Sequence, residues 1–171
     1  RMKLLRLAPA KFIHFGTTGE ILHLMADGIR DYEVLGWSRQ VGSSITGDVA
    51  GYKSVLSDKA KIGKDCYLEV SYVHRDAAVG DNVLLSYVDI HDETIPSNVV
   101  LHGLKQKDGN FVVRIYGVQD NPKAGPDGSF LGTTLNGFIS ANGVDPKELW
   151  DGDDCTIWNA KLYPACVTIQ D

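Results

Sequence analysis

One short phrase returns four times between residues 45 and 104, and it constrains the fold more than any other feature. The phrase reads apolar-Gly-x-Asp/Asn-apolar with small variations, and its copies begin at Ile45, Ile62, Val79 and Ile95, a nearly constant interval. Self-similarity at such a fixed, short period is typical of a parallel β-helix of hexapeptide type. The pattern therefore predicts a solenoid in which each copy adds one coil and the four first residues stack in one inward column.

The other positions of the phrase predict the corners of the coils. Gly63 and Gly80, with Asp65, Asn82 and Asn98, are residue types that adopt left-handed backbone angles readily. A β-sandwich is the alternative, but turn residues spaced this regularly favour the β-helix. We predict a mainly β chain, a left-handed parallel β-helix of hexapeptide-type coils with flanking short helices, the hand resting on analogy with other hexapeptide solenoids.

Composition excludes several classes of partner. The net charge is −5 and the pI about 5.5, with no basic cluster, which argues against nucleic acid or an anionic membrane surface as partner. No stretch approaches the length of a membrane span and no secretory leader is recognised, so we expect no membrane partner and a cytoplasmic location. Three cysteines without metal-type spacing do not predict a disulfide framework. Cys66 replaces valine in the repeat, which indicates a buried thiol.

Patterning divides the chain into three segments. Residues 1–44 form a strand-helix segment, residues 45–104 the parallel β-helix, and residues 105–171 a strand plus a helical cover. Residues 105–110 predict a hairpin turn before a strong strand over residues 111–118.

The first candidate site lies where a predicted strand over residues 11–15 breaks at Gly16 and becomes a helix. Thr17 and Glu20 have the spacing of a capping box. Gly16, Thr17 and Thr18 at a helix N-terminus can also bind an anion, because free N–H groups and the helix dipole both favour negative charge. A cap without any ligand is the alternative reading.

His14 adds weight to the ligand-binding reading. It lies two positions before Gly16, so on a strand it shares the face of that glycine and can point at the same ligand. A hydrogen-bonded structural role is the alternative for a single histidine.

The second candidate site is the polar cluster that follows the strand over residues 111–118. Asp120, Asn121 and Lys123 offer a carboxylate, an amide and a cation, which together can hold sugar hydroxyls and one phosphate. An Asx-turn before Pro122 is the alternative, although it leaves Lys123 unexplained.

The histidines of the coils do not predict a metal site. His74 and His91 are separated by one repeat interval and can stack on one face, but His102 does not share their register. No cysteine or carboxylate recurs with them at ligand spacing, so we predict no metal in this chain.

Several phrases together resemble the fucose-1-phosphate guanylyltransferases and the bifunctional L-fucokinase/GDP-L-fucose pyrophosphorylases. They are Phe-Ile-His-Phe-Gly-Thr-Thr-Gly-Glu at 12–20, Tyr-Gly-Val-Gln-Asp-Asn-Pro-Lys at 116–123, Phe-Leu-Gly at 130–132, Leu-Trp at 149–150 and Ile-Trp-Asn-Ala-Lys-Leu-Tyr-Pro at 157–164. They span nearly the whole chain in the expected order, which is more specific than any one motif.

The resemblance implies a β-helical middle portion of a longer enzyme that converts GTP and L-fucose 1-phosphate into GDP-L-fucose and pyrophosphate. It implies a nucleotide-binding domain before this region, in some members a sugar kinase after it, and magnesium in the full enzyme. The first phrase also resembles Trp-x-Asp-Ile-Gly-Thr-Pro of the wider sugar nucleotidyltransferases, with His14 in place of the aspartate. A neutral imidazole is a poor ligand for magnesium but a good hydrogen-bond partner for sugar or phosphate.

Two classes of function stay open from the sequence. In the first, the chain is the substrate-side fragment of the guanylyltransferase, with a sugar phosphate or nucleotide sugar as ligand, no cofactor and no catalytic residue of its own, and inactive alone. In the second, it is a structural solenoid that forms a homo-oligomer or joins two catalytic domains. Convergence of His14, Thr17 and Lys123 on one pocket would favour the first.

Overall fold

The computed structural model describes residues 2–4 and 12–168, in which short strands alternate with tight turns. The strands are β1 (Gln40–Val41), β2 (Ala50–Tyr52), β3 (Val55–Leu56), β4 (Lys61–Ile62), β5 (Tyr67–Glu69), β6 (Tyr72–Val73), β7 (Ala78–Val79), β8 (Leu84–Ser86), β9 (Asp89–Ile90), β10 (Thr94–Ile95), β11 (Val99–Lys105), β12 (Phe111–Gly117), β13 (Ser129–Phe130) and β14 (Thr133–Thr134). The helices are α1 (Thr18–Ala26), a 3₁₀ helix (Gly28–Leu35), α2 (Leu135–Ala141) and α3 (Pro146–Leu149).

Strands β1 to β11 wind into three parallel sheets that form the faces of a solenoid. The first face has the order β1-β2-β5-β8-β11, the second β3-β6-β9 and the third β4-β7-β10. Successive coils add one strand to each face, which makes about 3 turns. Strand β12 then pairs antiparallel with β11 and ends the first face. The predicted β-helix is thus confirmed, while its left hand stays a prediction.

Aliphatic side chains repeat from coil to coil in the interior. Ile62, Val79 and Ile95 are in-register neighbours on the third face, as the regular spacing of the phrase predicts. On the first face, Leu68 and Leu85 occupy equivalent positions and are fully buried. Aligning these side chains removes apolar surface from water in every coil, and this burial is the main stabilisation of the solenoid.

The prediction that Ile45 begins the third-face column is wrong. Its neighbour Ser44 forms a parallel bridge to Val55, so this part of the chain runs beside the second face instead. The reason is that the first coil is shorter than the later ones. Gly51 pairs with Gln40 in the coil before it, at less than one repeat interval, and with Leu68 in the coil after it, at a full repeat interval. Ile45 still packs against the solenoid core, but from a different side.

The corners of the coils use two devices. Asp65, Asn82 and Asn98 have φ angles of 55°, 57° and 64°, the left-handed conformation predicted for them. Gly63 and Gly80 do not have positive φ; a Cβ atom on either would lie 2.6 Å from a backbone nitrogen of the next coil. These glycines are therefore required by the close approach of neighbouring coils, and not by backbone angle as predicted.

Helix α1 packs on the outer side of the first face. Leu22 and Ala26, one helical turn apart on one side of the helix, contact Tyr67, Leu84 and Val100. The contact fixes the N-terminal end of α1 beside the β11–β12 pair.

The predicted strand before α1 is wrong for the residues that the structure describes. Residues 12–16 have no regular secondary structure, and Lys11 lies outside the described residues. The backbone N–H of Gly16 donates to the Glu20 side chain and not to a neighbouring strand.

The C-terminal part forms a small core of its own. Phe130, Leu135, Ile139, Leu149 and Ile157 are buried together beneath α2 and α3. Both helices begin at a capping residue: a threonine hydroxyl caps α2 and an aspartate carboxylate caps α3, whose first residue is proline.

Candidate functional site

A groove runs along the outer side of the first face, between the start of α1, the β11–β12 pair and the segment after β12. It consists of two adjoining cavities of about 470 and 400 Å³, which we call the outer groove. The larger cavity is lined by Thr18, His102, Leu104, Arg114, Tyr116, Asp120, Pro122, Ile157 and Trp158. The smaller cavity is lined by Phe15, Gly16, Thr17, Thr18, Ile21, Gln119, Asp120, Asn121 and Pro122. The groove thus brings the two candidate segments of the sequence together.

The start of α1 is closed by the predicted capping box. The Glu20 N–H donates to Thr17 Oγ1 at 3.2 Å, and the Thr17 N–H donates to Glu20 Oε2 at 2.9 Å. The Gly16 N–H donates to the same carboxylate oxygen at 2.6 Å. Hydrogen bonds from Gly16 and Thr17 lower the pKa of Glu20. Those two N–H groups are used within the cap. Of Gly16, Thr17 and Thr18, the three residues predicted to bind an anion here, Thr18 is therefore the one whose N–H takes no part in the cap.

Asp120 lies at the floor of both cavities and is held by three donors. Its carboxylate accepts from the N–H of Gly117 at 2.6 Å, the N–H of Leu131 at 2.9 Å and the hydroxyl of Ser129 at 2.8 Å. The residue is 9% exposed. These bonds tie the end of β12 to β13, so Asp120 shapes the groove and has little capacity left to accept from a ligand.

The remaining predicted residues lie in different surroundings. Asn121 lines the smaller cavity, and its side-chain oxygen accepts from the Lys123 N–H at 3.1 Å, which is the Asx-turn of the alternative reading. Lys123 and His14 are exposed and line neither cavity. His14 stacks on Phe12 with the ring centroids 6.3 Å apart. Their roles in binding substrate stay predictions.

The most polar part of the larger cavity was not foreseen from the sequence. His102 and Arg114 are directly opposite each other on β11 and β12, and both point outward, because their neighbours Leu101 and Val113 pack into the solenoid core. Burial, followed by the positive charge of Arg114, lowers the pKa of His102. A neutral imidazole therefore stands beside a permanent cation.

Two aromatic rings hold the Arg114 side chain in place. The guanidinium carbon lies 5.1 Å from the ring centroid of Trp158 and 5.9 Å from that of Tyr163. The Tyr163 hydroxyl donates to the Ile115 carbonyl at 2.5 Å, and burial raises the pKa of Tyr163 to about 12. The tyrosine is therefore a neutral donor that fixes the C-terminal segment against β12, and the arginine is pre-positioned by cation–π contacts.

This arrangement can bind an anionic sugar derivative. A guanidinium makes bidentate hydrogen bonds to phosphate, and the hydroxyl of Thr18 and the imidazole of His102 offer further polar partners on the same cavity. Trp158, Pro122 and Leu104 give the cavity an apolar wall on which the carbon face of a sugar can pack.

The groove does not fit a magnesium ion. Magnesium prefers several oxygen ligands, usually carboxylates and waters. Among the described residues that line the two cavities, Asp120 is the one carboxylate, and its oxygens already accept three hydrogen bonds. The cation that this groove offers to a phosphate is Arg114.

Sequence reasoning missed His102, Arg114 and Trp158 for a structural reason. In the sequence His102 stands out only as a possible partner of the other coil histidines, and Arg114 is a single charge inside a predicted strand. Side chains alternate between the two sides of a strand, so the sequence does indicate that Arg114 faces away from the core. Only the antiparallel pairing of β11 with β12 places it opposite His102.

Comparison with known proteins identifies a family for this chain. None of the helices in residues 2–4 and 12–168 is long and apolar enough to cross a membrane. Searches of curated proteins and of solved structures gave no match. A protein-family model, described as the fucose pyrophosphorylase domain, matches residues 1–168. Because this match covers nearly the whole sequence, the chain belongs to the fucose pyrophosphorylase domain family.

Proposed function

We propose that this chain forms the sugar-phosphate side of a guanylyltransferase that converts GTP and L-fucose 1-phosphate into GDP-L-fucose and pyrophosphate. Membership of the fucose pyrophosphorylase domain family supports a fucose-1-phosphate guanylyltransferase type of function. The observation that carries the more specific proposal is the guanidinium of Arg114, held by two aromatic rings inside a cavity that also contains Thr18 and His102.

In the proposed reaction an oxygen of the sugar phosphate attacks the α-phosphorus of GTP, and the bond from that phosphorus to the bridging oxygen of pyrophosphate breaks. Arg114 binds the phosphate of L-fucose 1-phosphate and reduces the repulsion between the two anions. His102, neutral at pH 7 because its pKa is lowered, binds a sugar hydroxyl or a phosphate oxygen without adding charge. Such positioning alone accounts for a large part of the acceleration in phosphoryl-type transfers.

Residues predicted from the sequence complete the proposed site. Thr18 extends the phosphate site from the start of α1, and Asn121 at the edge of the smaller cavity binds sugar hydroxyls. Asp120 positions this loop through its three hydrogen bonds. Lys123 and His14, which lie outside both cavities, contact the ligand only when the rest of the enzyme is assembled.

The triphosphate and its magnesium belong, in this proposal, to a nucleotide-binding domain outside the 171 residues. The outer groove offers one positioned arginine and no free carboxylate among its described residues, too little to neutralise a triphosphate. We therefore expect the chain alone to bind L-fucose 1-phosphate weakly and to form no pyrophosphate when supplied with GTP, magnesium and L-fucose 1-phosphate. Pyrophosphate release by the purified chain would refute this division.

Calorimetric titration of the chain with L-fucose 1-phosphate tests the site. Arg114→Ala should weaken binding about 10- to 100-fold, because it removes charge-assisted hydrogen bonds. Arg114→Lys should recover only part of the affinity, because an ammonium cannot bind phosphate in the bidentate manner. Arg75→Ala, at an exposed arginine in the coils, is the matched control and should bind as the parent does. Equal affinity in Arg114→Ala and Arg75→Ala would place the phosphate elsewhere.

A second candidate function, assembly of subunits or domains by the solenoid, is favoured by exposed side chains along one edge. Tyr52, Val55, Tyr72 and Tyr87 are between 37% and 50% exposed and lie on neighbouring coils. Sedimentation of the chain distinguishes the candidates: self-association without any binding of L-fucose 1-phosphate or GDP-L-fucose would favour the scaffold. Ligand binding that is lost in Arg114→Ala, at unchanged mass, would favour the enzyme fragment.

A further inference from the structure

We propose that His74, Asp89 and His91 form a binding site for a divalent transition-metal ion of the zinc type on the outer side of the second face. The site lies on the solenoid, apart from the outer groove, and the inference does not depend on the proposed function. One nitrogen of each imidazole and one carboxylate oxygen lie within 4.8 Å of one another.

Strand pairing brings the three side chains together. Val73 of β6 is the partner of Ile90 of β9, so the residues that follow them, His74 and His91, are neighbours in adjacent coils. Asp89 is two positions before His91 and therefore projects from the same side of the strand. Val73 and Ile90 are buried in the solenoid core, so the three polar side chains between and beside them face outward.

The three side chains of the cluster already contact one another. The Asp89 carboxylate reaches both imidazoles: Oδ1 lies 2.7 Å from Nε2 of His74, and Oδ2 lies 3.5 Å from Nε2 of His91. The two imidazole rings stack with centroids 4.0 Å apart and an angle of 15°. On its other side, His74 stacks on Tyr72 at 3.9 Å, which restricts the rotation of the ring.

To accept an ion, one imidazole must turn out of the parallel stack so that the nitrogen lone pairs of both rings converge. Zinc binds nitrogen and carboxylate oxygen at about 2.1 Å, so two tetrahedral ligands of one ion lie about 3.4 Å apart. The side chain of His91 is 48% exposed, so this ring has room to turn toward an ion that His74 and Asp89 also reach.

The donor set decides the class of metal. Two imidazoles and one carboxylate are the ligands of zinc, cobalt(II) or nickel(II), whereas magnesium and calcium prefer oxygen alone. Three protein ligands leave a further coordination position, which faces solvent at the exposed His91. A bound ion would link two coils through side chains, at β9, where the second face ends.

The sequence did not predict this site because its ligands do not share one spacing. The two histidines are separated by one repeat interval, but Asp89 and His74 are not. The residue at the position equivalent to Asp89 in the preceding coil is Tyr72, which is not a carboxylate. Only the stacking of coils shows that a carboxylate lies beside both rings.

Titration of the metal-free chain with zinc chloride tests the proposal, with the visible absorption of cobalt(II) as a second probe. The parent should bind about one equivalent of zinc, and cobalt(II) should give the strong visible bands of four-coordinate geometry. His91→Ala and Asp89→Asn should each weaken zinc binding at least about 10-fold, as loss of a ligand does. His23→Ala, at an exposed histidine of α1, is the matched control and should bind zinc like the parent.

Thermal melting provides a readout that separates loss of binding from loss of fold. Zinc should raise the melting temperature of the parent and of His23→Ala, because it binds only the folded coils, and should leave that of His91→Ala unchanged. Without metal, His91→Ala should melt close to the parent, since its side chain is about half exposed and is not part of the solenoid core. Excess magnesium should not displace zinc. Failure of the parent to bind zinc, or equal binding by the parent and His91→Ala, would overturn the proposal and leave the cluster as a hydrogen-bonded stack.

Discussion

Replacement of Val79 by aspartate tests the register of the solenoid most directly. Val79 is 5% exposed and lies between Ile62 and Ile95 on the third face. A new carboxyl there has aliphatic neighbours above and below it in the column. The reasoning predicts a severe loss of stability, whose size follows from three contributions.

The first contribution is the lost burial of valine, about 1.5–3 kcal/mol. The second is protonation: a carboxyl with an ordinary pKa near 3.9 must stay neutral inside the core at pH 7, which costs about 4 kcal/mol. The third is burial of the neutral carboxyl without hydrogen-bond partners, about 1–3 kcal/mol. Together they amount to roughly 6–10 kcal/mol, comparable with the entire free energy of unfolding of a typical domain.

Thermal and urea unfolding of matched variants measures this effect. Val79→Ala should lose only about 2 kcal/mol, from the missing methyl groups and the cavity. Val79→Asn should be strongly destabilised at every pH, whereas the loss in Val79→Asp should shrink by several kcal/mol between pH 7 and pH 4, because the protonation contribution disappears. Val34→Asp, at a valine that is 89% exposed, should melt like the parent. A Val79→Asp chain that melts like Val34→Asp would refute the predicted column.

Three further predictions concern single side chains. Cys66, whose thiol has its pKa raised to about 11 by burial, should react with a thiol reagent at pH 8 at least about 100-fold more slowly than the partly exposed Cys155. Asp120→Ala should lower the free energy of unfolding by about 3 kcal/mol in urea, because two backbone N–H groups lose their acceptor, whereas Asn121→Ala should change it little. Because the pKa of His102 is lowered in the folded chain, the unfolded chain binds a proton at this residue more readily. The free energy of unfolding is therefore unaffected by His102 above about pH 6.5 and falls as the pH is lowered below that value. A His102→Gln chain should show a shallower decline in melting temperature below that pH.

Elements that depend on local sequence could be predicted. The spacing of Ile62, Val79 and Ile95 indicates strands that stack, because a strand's side chains alternate and coils of equal length bring equal positions together. The capping box of Thr17 and Glu20 is likewise local, since both partners lie within one helical turn. The hairpin after β11 and the caps of the two later helices belong to the same class.

Backbone geometry that neighbouring coils impose could not be predicted in this way. Lys53, Val70 and Tyr87 have φ angles of 47°, 45° and 54° at successive corners, although lysine, valine and tyrosine rarely adopt left-handed angles. Strand pairing on both sides of these corners holds them there. The short first coil, which moves Ile45 out of its predicted column, is also visible only in the pairing.

The candidate site shows the same division between sequence and tertiary structure. The repeat, its turns, the capped start of α1 and the resemblance to a family are evident in the sequence, because each of these depends on residues that are near in the chain or recur at a fixed interval. The folded chain alone shows that Arg114 lies opposite His102 and against the ring of Trp158, and that Asp89 contacts two histidines. Those contacts join distant parts of the chain, and their geometry follows from which coils and strands pair, a choice that no single stretch of sequence specifies.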